Sequence, residues 1–204
     1  MVPYIVKRQE VSMHSDYLFE AEHMRLRPYL AADDHAYIEK WIEGERTHAL
    51  WSANLVPYPV TKEALNAFLE EDAKTWGGCA YMAEDDDGTS VGFFIYSVNS
   101  QNNSGFLKFV VLDPTIRGKG YGTRMLRLAL GYAFETTGVD FVQINVFDVN
   151  ERAIACYTKV GFRIESTAAA ALQYNGEQWG RCYMVISRAD FETRCEDKAE
   201  KEKI

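Results

Sequence analysis

The residues best suited to chemistry lie in the stretch Val110-Val111-Leu112-Asp113-Pro114-Thr115-Ile116-Arg117-Gly118-Lys119-Gly120-Tyr121-Gly122-Thr123, which reads as a strand, a glycine-rich turn and a helix start. Glycines let a backbone approach a ligand with no Cβ in the way, and the first helical turn offers unpaired N–H donors at the positive end of its dipole. Phosphate oxygens suit those donors. Between Asp113 and Glu135 there is no acid, whereas Arg117, Lys119, Arg124 and Arg127 are present, so an anion is the natural guest. Each exposed base adds roughly 1 kcal/mol or less to such binding. A phosphate loop of the form GxxxxGK[ST] is absent. A dinucleotide fingerprint GxGxxG beginning at Gly118 loses its third glycine to Thr123, and it follows antiparallel-looking strands. A glycine turn with no ligand is the bland alternative. The pattern R/Q-x-x-G-x-G/A is met by Arg117, Gly120 and Gly122.

A second element begins at Asn145-Val146-Phe147-Asp148-Val149-Asn150 and runs through Tyr157 to Gly161-Phe162, with the build of a strand, a capped helix, a glycine stop and a strand. Asn150 suits an N-cap and Gly161 a C′ position. Taken alone, Asn150 needs to be nothing more than a cap, and Tyr157 nothing more than a half-buried aromatic.

The two elements together carry a resemblance. The pattern on Arg117, Gly120 and Gly122, followed about 30 residues later by N-x-x-A-x-x-x-Y-x-K-x-G-F from Asn150 to Phe162, is similar to the acetyl-CoA site of the GNAT superfamily of N-acetyltransferases. The branch it most resembles acetylates ribosomal-protein N-termini. The likeness covers roughly residues 24–187 and is specific from about 106 to 162. It implies a single-domain α/β (α+β) fold with a mixed, mostly antiparallel sheet of about six to seven strands flanked by helices. It further implies that Val110, Val111 and Leu112 lend their backbone to a pantetheine arm. Arg117, Gly118, Lys119, Gly120, Tyr121, Gly122 and Thr123 would wrap the pyrophosphate, Asn150 would hold the cosubstrate by its side chain, and Tyr157 would stand near the sulfur. Dimers are common in similar enzymes.

The implied reaction needs few groups. A neutral amine attacks the thioester carbonyl, an N–H donor meets the oxyanion, and the departing thiolate takes a proton. Tyr157 is the expected catalytic residue, since a phenol of ordinary pKa about 10 can supply that proton. Some members of the branch carry a glutamate base where this chain has Asn145, and an amide cannot take a proton from an ammonium. The base is therefore open: Asp148, Glu84 or Asp85 acting through water, or direct attack by an amine that arrives neutral. Each of those carboxylates also reads as an ordinary strand-end or turn residue.

The elements that must position these groups follow from periodicity. Met24 to Pro28 reads as a strand, and Asp33 or Asp34 then caps a helix carrying Tyr37, Ile38, Trp41 and Ile42. A loop follows, in which Trp51 to Pro59 holds two aromatics and two prolines. Thr61 opens a second helix with Ala64, Leu65, Phe68, Leu69 and Ala73 on one face. Cys79–Glu84 and Val91–Val98 form a hairpin around Asp85-Asp86-Asp87-Gly88. Phe106 to Leu112 is a strand before the loop, and Phe141–Phe147, Phe162–Thr167 and Arg181–Ser187 are strands after it. The expected organisation is an extension over 1–22, one domain over 23–188 and a charged, frayed tail over 189–204.

Composition sets the outer bounds. The chain of 204 residues is 47% hydrophobic, which suffices for one substantial core. No apolar run is long enough for a membrane helix, and the opening residues lack a signal-peptide core, so a cytoplasmic protein without membrane contacts is expected. Cys79, Cys156, Cys182 and Cys195 make no CxxC pair, which points to reduced thiols and no metal. The net charge of −8 argues against nucleic acid as a partner. Its distribution is uneven: residues 1–104 hold 17 acids and 8 bases, and residues 105–204 hold 13 and 14. In the resembling family the early helices and their loop border the acceptor, so Asp33, Asp34, Glu39, Glu43 and Glu45 favour a cationic amine such as a polyamine, an aminoglycoside or a peptide N-terminus, unless they form only a solvated face. Trp41, Trp51 and Tyr58 could line that site, although Trp41 on a helix face also suits the core. Two other functional classes stay open: an acetyl-CoA-binding module without catalysis, and an NAD(P)-dependent oxidoreductase.

Overall fold

The computed structural model describes residues 19–21 and 24–201, so most of the expected extension lies outside the described residues. One sheet runs through the molecule. Its strands are β1 (Phe19–Ala21), β2 (Met24–Pro28), β3 (Cys79–Asp85), β4 (Ser90–Asn99), β5 (Ser104–Leu112), β6 (Phe141–Phe147), β7 (Arg163–Tyr174) and β8 (Glu177–Ser187), in the order β1-β2-β3-β4-β5-β6-β8-β7. Every neighbouring pair is antiparallel except β5 with β6. The mixed, mostly antiparallel α/β sheet forms as expected, and β1 adds an eighth strand at its edge.

Helices cover both faces. Along β4, Phe94 and Tyr96 join the core under α4 (Tyr121–Gly131) and α5 (Glu151–Val160), while Phe93 and Ile95 join the core under α1 (Ala31–Trp41) and α3 (Lys62–Trp76). That alternation is the period of a strand buried on both sides. It explains why β4 reads as one apolar run rather than as an alternating pattern. Trp41 is 1% exposed within the second core, so it serves packing and does not line a site.

Local capping chemistry accounts for most boundaries. Thr61 Oγ1 accepts from Ala64 N at 3.2 Å to start α3, and Gly77 at φ 65° ends it. Asp85 Oδ1 accepts from the backbone N–H groups of Asp87 and Thr89, which closes the β3–β4 turn. The start of α1 differs from expectation, because Leu30 is its N-cap. The Asp34 carboxylate instead lies fully buried, accepting from Leu30 N at 2.7 Å and from both terminal nitrogens of Arg27 at 2.7 and 2.8 Å. Arg27 also donates to Glu84 at 2.5 Å, so one guanidinium ties β2, β3 and α1 together.

Three stretches depart from the sequence reading. Helix α2 (Gly44–Ser52) precedes the loop, and its buried residues are His48, Ala49 and Ser52, so the inward face carries no apolar period to detect. The strand expected to stop at Thr167 continues to Tyr174, turns at Asn175-Gly176 with φ of 44° and 82°, and returns as β8. Asn-Gly with both residues at positive φ is the turn a tight hairpin prefers, so this signal was present in the sequence. The tail expected to fray contains α6 (Arg188–Lys201), with Phe191 buried against Phe134 at 5.2 Å between ring centres. Among the described residues, no helix is long and apolar enough to cross a membrane.

Candidate active site

The glycine loop adopts the geometry its sequence calls for. A short 3-10 turn at Pro114–Ile116, held by Asp113 Oδ1 accepting from Thr115 N at 2.7 Å, leads into Gly118 at φ 81° and Gly120 at φ 86°. No atom lies within 4 Å of where a Cβ would stand on either, so the demand for glycine comes from backbone conformation. Gly120 caps α4 without any side-chain acceptor, and the first backbone bond into the helix is Arg124 N to Gly120 O at 3.1 Å. The N–H groups of Tyr121, Gly122 and Thr123 therefore open the helix as unpaired donors. Gly122 is needed for closeness, since a Cβ there would meet Leu112 Cδ1 at 2.8 Å and Cys156 Sγ at 3.3 Å. Arg117, Lys119 and Arg124 form no salt bridge among the described residues, and the Arg124 guanidinium lies 4.3 Å from the Tyr121 ring centre.

The strand feeding this loop is irregular in two ways that its sequence does not announce. First, β5 pairs with β6 only from Ser104↔Phe141 to Leu107↔Ile144, so the two strands part beyond that point. Residues 108–112 of β5, with Val110, Val111 and Leu112 among them, then border an opening, and Asn145 stands just past the last paired residue of β6. Second, β5 bulges. Phe93 pairs with Val111 and Ile95 with Lys108, which leaves Phe109 and Val110 opposite the single residue Phe94. Phe109 takes φ 54°, a left-handed state costing a bulky residue on the order of 1–3 kcal/mol. A bulge of this kind removes backbone groups from the ladder and re-aims them.

Helix α5 brings the second element to the same place. Its Cys156 lies 4.0 Å from Thr123 Oγ1 and beside Gly122, so the α5 face that carries Tyr157's neighbour touches the first turn of α4. Asn150 acts as the N-cap, its Oδ1 accepting from Ala153 N at 3.3 Å. Its amide nitrogen has no protein acceptor among the described residues and remains able to donate. Tyr157 is 8% exposed, packed into the core beside Phe162. Burial, with a smaller push from Cys156, raises its pKa well above the ordinary value of 10.0. Burial likewise raises the Cys156 thiol, offset in part by Thr123, so Cys156 stays protonated at neutral pH. Sequence reasoning passed over both Cys156 and Phe109, because neither type signals contact with the loop.

The carboxylates that could have served as base are engaged. Glu84 is bound to Arg27, Asp85 closes the β3–β4 turn, and Asp148 Oδ1 accepts from Gly180 N at 2.9 Å where β6 meets β8. Buried His48 is held below its ordinary pKa by desolvation, with its Nε2 3.1 Å from Ser52 Oγ. Of the acids expected around the acceptor, Asp34 is neutralised by Arg27, while Asp33, Glu39, Glu43 and Glu45 are exposed. Trp51 donates its indole N–H to the carbonyl of Phe109 at 2.8 Å, and Tyr58 is 43% exposed nearby against His48. A groove at the C-terminal end of α5, bordered by Thr158, Ile164 and Arg194, shares no residue with this cleft.

Comparison with known proteins bears on the family and the fold. Residues 45–162 match the model of the Acetyltransferase (GNAT) family. The spermidine N(1)-acetyltransferase of Escherichia coli K12 is 32% identical over 77 residues, which is 38% of this chain and 41% of that protein. A mycothiol acetyltransferase of Propionibacterium freudenreichii is 32% identical over 88 residues, 42% of this chain and 28% of that protein. The chain thus spans less than half the length of these curated relatives. Among solved structures, spermidine N-acetyltransferase from Vibrio cholerae in complex with CoA and spermine superposes with a TM-score of 0.71, at 19% identity, over 83% of this chain and 98% of that one. That likeness is one of fold. The ribosomal-protein branch finds no support in these relatives, whose names point to polyamines and to mycothiol.

Proposed function

Because the chain belongs to the GNAT acetyltransferase family, we propose that it transfers the acetyl group of acetyl-CoA to a primary amine of a small cationic molecule, a polyamine foremost. One observation carries the reading: the open amides of α4, behind Gly118 and Gly120, adjoin the stretch of β5 that has parted from β6. The first suits a pyrophosphate and the second offers backbone to an extended amide-bearing arm. The residues fit that cosubstrate. Arg117 and Lys119 add charge at the mouth, Gly122 lets α4 sit close to Leu112, and the free amide nitrogen of Asn150 supplies a further donor.

In this reading the residues divide the work simply. The bulged backbone at Phe109 and Val110 supplies the N–H that meets the developing oxyanion. The amine nitrogen attacks the acetyl carbon, the carbon–sulfur bond breaks, and the proton lost from nitrogen balances the one the sulfur gains. Tyr157 assists at the sulfur. Its raised pKa changes the expected manner: a thiol titrates near about 8.5, so full proton transfer from this phenol runs uphill, and Tyr157 works as a hydrogen-bond donor to the departing sulfur. Glu84 is bound to Arg27, Asp85 closes a turn and Asp148 accepts from Gly180, so the amine attacks in its neutral form without a dedicated carboxylate base. Exposed Asp33, Glu39, Glu43 and Glu45 attract the remaining positive charges of the acceptor, which is why a polyamine is preferred to a peptide N-terminus with one charge. We assign this activity to the unit over residues 23–188 together with β1, which pairs with β2, and α6, whose Phe191 packs into the same core.

Free-thiol release from acetyl-CoA across polyamines, aminoglycosides and short peptides tests activity and acceptor together. Turnover is expected to be highest with polyamines. Faster turnover with peptides would overturn the acceptor class, and CoA binding without turnover on any amine would make the chain a binding module.

A further inference from the structure

Among the described residues, Phe109 is the one aromatic residue held at positive φ, at 54°, and it sits at the bulge beside the opening between β5 and β6. A residue of this type reverts to an extended conformation unless its surroundings over-determine the strained one. Here the surroundings do. The Phe109 ring is held between Phe68, 4.6 Å away, and Trp51, 4.9 Å away edge-on. Those contacts fix the ring, yet a ring can keep its place while the peptide behind it turns. The Phe109 carbonyl is fixed separately, by the Trp51 indole N–H at 2.8 Å. That bond reaches from α2 to the carbonyl of one of the two bulged residues. Trp51 itself is half-buried and also meets Phe93, whose partner Val111 is the first residue paired again beyond the bulge.

We propose that Trp51 is a positioning residue for the acetyl transfer, acting through Phe109, and that its indole N–H locks the bulge in the state that serves the acetyl carbonyl. The inference rests on the acetyltransferase reading above. If the lock is lost, the Phe109–Val110 peptide can turn, while the pairs Phe93↔Val111 and Gly92↔Leu112 hold the strand beyond the bulge in place. Backbone donors next to the reacting carbonyl then move, while the phosphate end of the site at Gly118 to Thr123 does not. The effect therefore falls on the chemical step and spares binding of the nucleotide part.

Trp51→Phe, which keeps an aromatic ring and removes the donor, is the first test. The expected result is a fall in kcat of about ten- to a hundredfold, with the calorimetric Kd for CoA within about twofold of the wild type. A kcat within that same twofold would overturn the role of Trp51. Should Trp51→Phe fail to fold, site-specific benzothienylalanine at position 51 answers the question, because it keeps the indole shape and replaces only N–H by sulfur. A packing role predicts an unchanged kcat for it, and the lock predicts the same fall. Wild-type protein that neither binds CoA nor releases thiol would overturn the acetyltransferase reading itself, and this inference with it; wild-type turnover matched by both variants would overturn this inference alone.

Discussion

In the proposed transfer Tyr157 bears the greatest chemical demand of any single side chain, and its burial decides how it can meet that demand. Removing its hydroxyl in Tyr157→Phe should lower kcat by roughly ten- to a thousandfold, because the donor matters most as charge develops on sulfur. Affinity for CoA, read by calorimetry, should stay nearly intact. The direction of its pKa gives a second expectation. A phenol pushed above 10.0 stays protonated throughout the range where an amine acceptor becomes neutral, so Tyr157 cannot produce a descending limb below that pH. The log of kcat/KM for the amine should therefore rise with pH toward the acceptor's own pKa, near about 10.4 for a lysine-like amine. A fall between neutrality and pH 9 in the wild type, absent in Tyr157→Phe, would contradict this. At this scale the sequence was legible where side-chain type writes local structure, in the cap at Asn150 and the positive φ of Gly118 and Gly120. It was silent at Phe109, since a left-handed phenylalanine is imposed by Trp51 and Phe68 from distant helices and leaves no mark in the local pattern.

Among the elements, α4 and its loop carry the argument, and their glycines separate two physical demands. Gly120→Ala puts a Cβ on a residue at φ 86° with open space around it, so the cost is conformational, and CoA affinity should fall as the loop relaxes, with a loss of stability no greater than about 1–2 kcal/mol. Gly122→Ala instead brings a Cβ to 2.8 Å from Leu112 Cδ1 and 3.3 Å from Cys156 Sγ, so those side chains must turn aside, the packing of α4 on β5 loosens, and thermal stability should fall along with affinity. Calorimetry and a melting curve on both variants distinguish these outcomes. Arg27 is the matching structural test, since Arg27→Met strands Asp34 and Glu84 as buried carboxylates and should cost about 3–5 kcal/mol in denaturant unfolding. The boundaries of α3, α5 and the β3–β4 turn were legible because caps and turn residues write them locally. Helix α2 was not, because His48 and Ser52 occupy its inward face where a periodic apolar residue would have revealed it. The parting of β5 from β6 was illegible too, for strand pairing is a long-range property and both sequences stay apolar through the point of separation.

On the scale of the molecule, charge is sorted more sharply than the sequence count suggests. Asp34, Asp72 and Glu84 are consumed by Arg27 and Lys108, while Asp33, Glu39, Glu43 and Glu45 about α1 and α2 and Glu63, Glu70 and Glu71 of α3 stay exposed, and the α4 loop carries bases without acids. The core also holds a set of buried phenol hydroxyls, of half-buried Tyr29 beside β2 and of Tyr81 and Tyr96 in the sheet. Desolvation raises Tyr29 and Tyr96 to about 12 and Tyr81 higher still, all above the unfolded value of 10.0. With folded pKa values above the unfolded one, their contribution to stability is full below pH 10 and is lost as pH rises through the folded values, because the native state then binds more protons than the unfolded one. Urea unfolding should accordingly show a stability flat with respect to these groups up to about pH 10 and falling above it, with phenolate absorbance appearing together with unfolding. The central claim reaches a single place in this layout, the first turn of α4, and calorimetric titration of the full chain with CoA measures it most directly. The account predicts saturable heat whose affinity weakens with added salt and drops in Gly120→Ala. No heat at millimolar CoA in low salt would contradict it.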